Sequence, residues 1–226
     1  MEALEPIVSF WIGNFKVDIT PEILIQWAII LILFILAWWS TRNLKIKPDK
    51  KQVIVESIYE TIKNLVYENA GEKYRDLIPF IGSMAVYLLL MNLVGLIGVV
   101  PPTKSFSVTV GMAAISFVVV QGYAIKKHGF GSYLKGYAQP IPIMLPINIL
   151  ERVTLPISLA LRLFGNVLAA TFIIELVYES LGKIAWVTEL VIPVALHGYF
   201  DIFDGVIQMV IFVMLTLINI KIVSEH

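Results

Sequence analysis

The sequence predicts an all-α polytopic membrane protein, with about five membrane-embedded helices and one amphipathic surface helix, the last two spans long and strongly tilted. Three observations predict it. Of 226 residues, 58% are hydrophobic and only 15% charged, against roughly 25% charged in an average soluble domain. Mean hydropathy is +0.82. Apolar runs long enough to cross a ~30 Å hydrocarbon layer, at ~1.5 Å of helix per residue, recur along the chain.

The organisation reads as a single integral-membrane domain over residues 1–226. Residues 1–21 form a tail in which Glu2 and Glu5, with no basic start, match neither a signal nor a transit peptide. Residues 22–41 form the first span. Its apolar body, Ile23 to Trp39, is opened by Thr20 as an N-cap and by Pro21 where a missing N–H is harmless. Trp38 and Trp39 suit the far interface. Over 49–73, Val55, Ile58, Ile62, Leu65 and Val66 recur at helical spacing among charged residues. That pattern fits an amphipathic helix lying on the membrane or packing on a partner.

Residues 77–125 form a helical hairpin whose spans, Leu77 to Val100 and Val108 to Ile125, meet at a tight Pro101-Pro102 turn. Gly82, Gly95, Gly98 and Gly111 read as close-packing positions. Residues 146–224 carry two helices, Pro146 to Leu181 and Trp186 to Ser224, each of roughly 35 residues or ~50 Å. Both exceed the hydrocarbon thickness, so they must tilt or bend. Pro156, Gly165, Pro193, Gly198 and Gly205 are the places to bend. No internal repeat is visible, which counts against inverted-repeat carriers.

Charge sets orientation. The 42–76 and 126–135 loops hold eleven Lys and Arg, whereas the N-terminal tail and two other turns hold one each, Lys16, Lys104 and Lys183. The positive-inside rule then puts the N-terminus outside and the C-terminus in the cytoplasm. Zero net charge offers no footprint for nucleic acid. A chain without cysteine has no disulfide and no thiolate metal site, and no cofactor or metal is expected.

Chemistry concentrates in the last third. Arg162 lies in the apolar run Leu155 to Ala170, although an Arg at a membrane helix centre costs at least ~2.5–3.5 kcal/mol and cannot neutralise itself. At ~100° per residue, Glu151 falls ~20° and Asn166 ~40° from Arg162 around the helix. Thr171, Glu175 and Glu179 form a stripe on a different side. In the final helix His197, Asp201, Asp204 and Gln208, at i, i+4, i+7 and i+11, fall within ~40° of one line. Ile211 and Leu215 continue that line as an apolar seal. The bland alternatives are an interfacial histidine, solvated glutamates at helix ends, and an internal salt bridge from Arg162 to Asp201 or Asp204.

The stretch Ser158-Leu-Ala-Leu-Arg-Leu-Phe-Gly-Asn-Val-Leu-Ala169 resembles the signature of subunit a of bacterial-type F-type ATP synthases. Leu145-Pro-Ile-Asn-Ile-Leu-Glu151, Phe15-Lys-Val-Asp-Ile-Thr20 and Gly205-Val-Ile-Gln-Met-Val-Ile-Phe-Val-Met-Leu-Thr-Leu217 are similar too, so the resemblance runs the length of the chain in order. It implies a stator subunit in the bacterial plasma membrane that conducts H+ or Na+ through two offset half-channels to and from the carboxylates of a rotor ring of subunit c. Peripheral-stalk subunit b, the remaining ATP synthase subunits and membrane lipid are the other implied partners.

By the same resemblance Arg162 matches the essential stator arginine, Asn166 the motif asparagine, and Gln208 the glutamine that approaches the arginine. Asp201 falls where an ionisable residue of the ion path is common. Many members carry Glu nine residues after the arginine; here that position is Thr171, and Glu175 one turn on is expected to replace it. The turn after Pro102 lacks an acidic residue often found there. The outer half-channel is thus expected to hold Glu175, Asp201, Asp204, Glu179 and His197, and the inner one Glu151 and Ser158. No nucleotide-binding loop is present, so the chain is not expected to hydrolyse ATP itself. The rival reading is a secondary transporter that binds an anionic substrate at Arg162.

Overall fold

The computed structural model describes residues 7–12, 15–42, 44–137, 141–181 and 194–225. Expectations resting on Glu2, Glu5, Lys183, Pro193 and a helix start at Trp186 lie outside the described residues. Five described helices are long and apolar enough to cross a membrane: α1 (Pro21–Thr41), the segment containing α3 (Ile78–Leu93), α4 (Phe106–His128), the segment containing α6 (Leu145–Leu181), and α7 (Val194–Glu225). Two more α-helices occur among the described residues, α2 (Lys50–Asn69) and the short α5 (Phe130–Gly136). The chain is an all-α polytopic membrane protein.

One departure lies in the tail. Val8–Ile12 and Phe15–Ile19 pair as an antiparallel hairpin, β1 and β2, with Val8 opposite Ile19. β2 alternates apolar Phe, Val and Ile with Lys and Asp, a period that suits a strand, and β1 is rich in β-prone Val, Phe, Trp and Ile. The Ser9 hydroxyl donates to Asp18 Oδ1 across the pair at 2.6 Å.

α1 opens at Thr20 with Pro21 in its first turn, although the Thr20 side chain makes no capping bond. Only Ile29 of α1 is buried, so the helix stands at the margin and touches the bundle through the Tyr87 hydroxyl, which donates to Gln26 Oε1 at 3.2 Å. α3, α4, α6 and α7 form the core. Ile81, Leu88, Met91, Leu163, Leu217 and Ile220 are among its fully buried side chains, interleaved with small polar ones, Thr109, Ser116 and Thr216. With lipid as apolar as any core, such small residues let helices approach closely enough for dispersion to hold them. α2 is amphipathic in two halves. Val66 is fully buried and Ile62 packs on the core, whereas Val53, Ile54 and Ile58 are exposed.

The glycines divide. A Cβ on Gly82 would stand 3.2 Å from Ile62 and one on Gly95 2.9 Å from the Asp201 carboxyl, so both are close-packing positions. Gly98 and Gly111 are not. Gly98 takes φ +75° in a turn, a conformation glycine adopts without cost, and Gly111 faces open space. The far end of α7 is clamped: the Ser224 carbonyl accepts from Lys127 Nζ at 2.6 Å and lies 2.8 Å from His128 Nε2. The Tyr74 hydroxyl meets Ser224 Oγ at 2.6 Å, and Lys73 pairs with Glu225 at 2.6 Å. Cations suit the negative end of a helix dipole.

Candidate functional site

α6 organises the site because its two sides differ. Near Arg162, Leu159, Ala160 and Leu163 are buried at 5%, 3% and 1% exposure, and they turn one flank into the bundle. Ile157, Ser158, Leu161 and Arg162 are exposed on the other. Further along, Val167, Ala170, Thr171, Ile174, Glu175 and Tyr178 line a cavity of about 320 Å³. At ~100° per residue those six fall roughly 80–220° around the helix from Arg162. The two polar faces of the sequence are therefore two real surfaces.

α7 supplies the opposite wall of the cavity with His197, Phe200, Asp201, Asp204, Gly205 and Gln208. Here the helix departs from α geometry: Gly198–Asp204 is π-helical, and the Gly205 N–H reaches back to the Phe200 carbonyl. Such wide turns are rare overall and frequent at functional sites. The predicted stripe survives as pairs. His197 Nδ1 lies 2.8 Å from Asp201 Oδ2, and Gln208 Nε2 donates a long bond, 3.4 Å, to Asp204 Oδ1. The Asp201 side chain is only 12% exposed. Tyr178 packs its ring 6.2 Å from that of His197.

Three contributors come from sequence far away. Gly95 gives the Asp201 carboxyl its room, as its missing Cβ shows. Asn92, 4% exposed, donates from Nδ2 to the Gly205 carbonyl at 3.0 Å and accepts from the Thr103 hydroxyl at 3.2 Å. It ties α3, the Pro102 turn and α7 together at the π turn. Lys104 Nζ lies 3.3 Å from Glu175 Oε1 at the cavity margin, with the glutamate 59% exposed. An ion pair this exposed contributes at most about 1 kcal/mol.

Of the predicted residues, then, Glu175, His197, Asp201, Asp204 and Gln208 line one cavity. Glu179 does not line it and sits exposed beyond it on α6. Glu151 and Ser158 are exposed on the same outward flank as Arg162, and Asn166 is half-buried. Among the described residues Arg162 has no ion pair and no hydrogen bond to Asp201, Asp204 or Gln208. The Gln208 amide bonds Asp204, and no hydrogen bond joins it to Arg162 among the described residues. No group of His, Asp and Glu able to hold a metal ion occurs among the described residues.

A second polar cluster, missed in the sequence, lies where α4, α5 and α6 meet. The Tyr133 hydroxyl donates to Gln121 and touches Tyr137, and the Arg152 guanidinium stacks 5.4 Å from the Tyr137 ring centroid. Burial, then the bond to Tyr137, pushes the Tyr133 phenol far above its ordinary range and keeps it protonated. Gln121 Nε2 and Arg152 Nη1 are buried without a partner among the described residues, a setting suited to ordered water.

The chain matches known proteins over most of its length. The family model for the ATP synthase A chain matches residues 23–221. A sodium-ion-specific ATP synthase subunit a of Propionigenium modestum is 30% identical over 225 residues, covering 92% of this chain and 75% of that protein. ATP synthase subunit a 1 of Crocosphaera subtropica is 32% identical over 223 residues, covering 97% and 93%. ATP synthase subunit a of Legionella pneumophila is 32% identical over 214 residues, covering 94% and 89%.

Proposed function

From the premise that the chain belongs to the ATP synthase A chain family, a membrane-sector component of the ATP synthase complex, we propose that it is the stator that couples ion flow to rotation. The observation that carries this reading is the exposed Arg162, without a partner among the described residues, on an apolar flank of α6, with a carboxylate-lined cavity on the opposite side. A permanent charge left without an internal partner is suited to a partner outside the chain.

The physics follows. An ion cannot cross a ~30 Å low-dielectric layer unaided, so two offset aqueous paths let it pass only by riding a carboxylate on a rotor ring. The cavity formed by Glu175, His197, Asp201, Asp204 and Gln208 serves as the outer half-channel. Asp201 and His197 hand the ion along the wall, and the Asp204–Gln208 pair lies at its inner limit. Arg162 favours the ionised form of a passing carboxylate and expels its cation. It also bars a cation from slipping between the two paths. The inner path follows the outward flank of α6 past Glu151 and Ser158, with Asn166 beside the arginine.

Magnitudes restrict the encounter. A dry ion pair at ~4 Å is worth about 4 kcal/mol at an effective dielectric of ~20, whereas one charge crossing ~100 mV gains about 2.3 kcal/mol. Tight contact would stall the ring, so the pair must stay hydrated. On this reading the outer side carries the N-terminus and the cytoplasm the C-terminus, subunit c forms the ring, and subunit b joins the stator.

The decisive experiment is Arg162→Ala in membranes carrying the assembled complex. Ion-driven ATP synthesis is expected to vanish while assembly persists; normal synthesis would falsify the assignment. Cysteines placed at 201 and 204 are expected to react with aqueous thiol reagents from the outer side, and protection there removes the proposed outer path. Sodium dependence of ATP hydrolysis by the complex identifies the ion. Substrate uptake by the purified chain alone in liposomes would favour a transporter binding an anion at Arg162.

A further inference from the structure

A second cavity, of about 470 Å³, lies at the other end of the molecule, between the last turn of α1 and the first turn of α2, lined by Trp39, Ser40, Arg42, Lys45, Asp49, Lys51 and Gln52. Residues 42–52 hold five basic side chains and one acidic. The acidic one is already engaged: Lys45 Nζ lies 2.9 Å from Asp49 Oδ2. Gln52 ties the loop down, donating from Nε2 to the Lys45 carbonyl at 2.9 Å and accepting the Lys45 N–H at 3.0 Å.

Of the three cations that line the cavity, Arg42 and Lys51 remain, and neither has a carboxylate among the described residues. The Arg42 guanidinium carbon stands 5.0 Å from the Trp38 ring centroid, and Lys51 Nζ stands 3.7 Å from that of Trp39. Indole faces hold a cation in place without neutralising it. Asp49 caps α2 by position but makes no side-chain capping bond, so the first N–H groups of a 20-residue helix also remain open beside the cavity.

From the cavity an apolar strip descends α1. Trp38, Ile35, Phe34 and Leu31, at helical spacing, are 57%, 51%, 69% and 59% exposed. We propose that this is a binding site for an anionic phospholipid, its phosphodiester seated between Arg42 and Lys51 and its acyl chains lying on that strip. Only a ligand with an anionic head and apolar tails satisfies both features. A phosphate alone leaves the strip bare, and an acidic peptide has nothing to lay along it. The volume falls within the ~300–1,000 Å³ of small-molecule sites, and polybasic segments beside a membrane span are the usual readers of anionic lipid.

The test uses the intact complex in phosphatidylcholine nanodiscs containing a little phosphatidylglycerol with a photoactivatable acyl chain, adducts being mapped by mass spectrometry. Adducts are expected on residues 31–42, about tenfold above those from a photoactivatable phosphatidylcholine. Arg42→Gln with Lys51→Gln is expected to erase that excess, and Arg42→Lys with Lys51→Arg to keep it. Should the neutral double variant not assemble, Lys51→Gln alone must lower the excess about fivefold. Equal labelling by both lipids overturns the proposal. So does displacement by inorganic phosphate, which would make the ligand a free anion, or a cavity filled by an acidic segment of another subunit.

Discussion

Two regions touch α6 from opposite sides, and they treat charge in opposite ways. In the cavity the charged and polar groups are joined within the chain: His197 to Asp201, Asp204 to Gln208, Glu175 to Lys104. On the outward flank Arg162 stands exposed with no such partner among the described residues. Polar groups that pass an ion along need neighbours to share it with, and internal pairs keep them solvated in a low-dielectric wall. A group that must meet a moving partner has to be left unsatisfied until the partner arrives. On the proposed reading, the contrast separates relaying, shared between α6 and α7, from coupling at Arg162.

Mutations can break that comparison, and their effects should fall in order. Against the complete loss expected of Arg162→Ala, Asp201→Asn should lower ion-driven synthesis at least about tenfold, since a positioned proton-transfer group typically supplies 10²–10⁴-fold. Equal rates in wild-type and Asp201→Asn vesicles would mean that the buried pair is structural.

Gly95→Ala comes next. Its new methyl would stand 2.9 Å from the Asp201 carboxyl, an overpacking that costs about 1–3 kcal/mol. The expected result is a severalfold fall in synthesis with a lower melting temperature of the complex. Gly111→Ala, at an open position, serves as the control that should change neither.

The smallest effect belongs to Lys104→Gln. It removes an exposed ion pair worth at most about 1 kcal/mol, so synthesis should change less than about fivefold, and the difference should shrink as salt rises. A large, salt-independent loss would show that Lys104 acts directly on the ion.

Much of this was legible before the structure, for identifiable reasons. Hydropathy and length report spans directly, so α1, α4 and α6 begin and end close to where their apolar runs do. The His197, Asp201, Asp204 and Gln208 stripe was legible because i to i+4 neighbours meet within one helix, and both of its hydrogen-bonded pairs have that spacing. Contacts across the bundle were not. Nothing in the local sequence says that Gly95 faces Asp201, that Asn92 supports Gly205, or that Lys104 reaches Glu175, because those meetings depend on how the helices are set against each other. The tail hairpin was overlooked although the period-two pattern of its second strand, and Gly13-Asn14 in the sequence between the strands, are short-range signals. The Gln121, Tyr133, Tyr137 and Arg152 cluster is scattered over three elements and carries no motif.

The π turn in α7 has a geometric consequence. Its backbone bonds skip one residue further than those of an α-helix, so the register after Asp204 is advanced by about one position relative to the register before Gly198. The two ends of one rod are thereby keyed separately, the Gly205–Glu225 part to the lattice of its neighbours and the 194–204 part to the cavity wall. Substitutions lining the cavity can accumulate in the 194–204 part without disturbing the fit of the Gly205–Glu225 part.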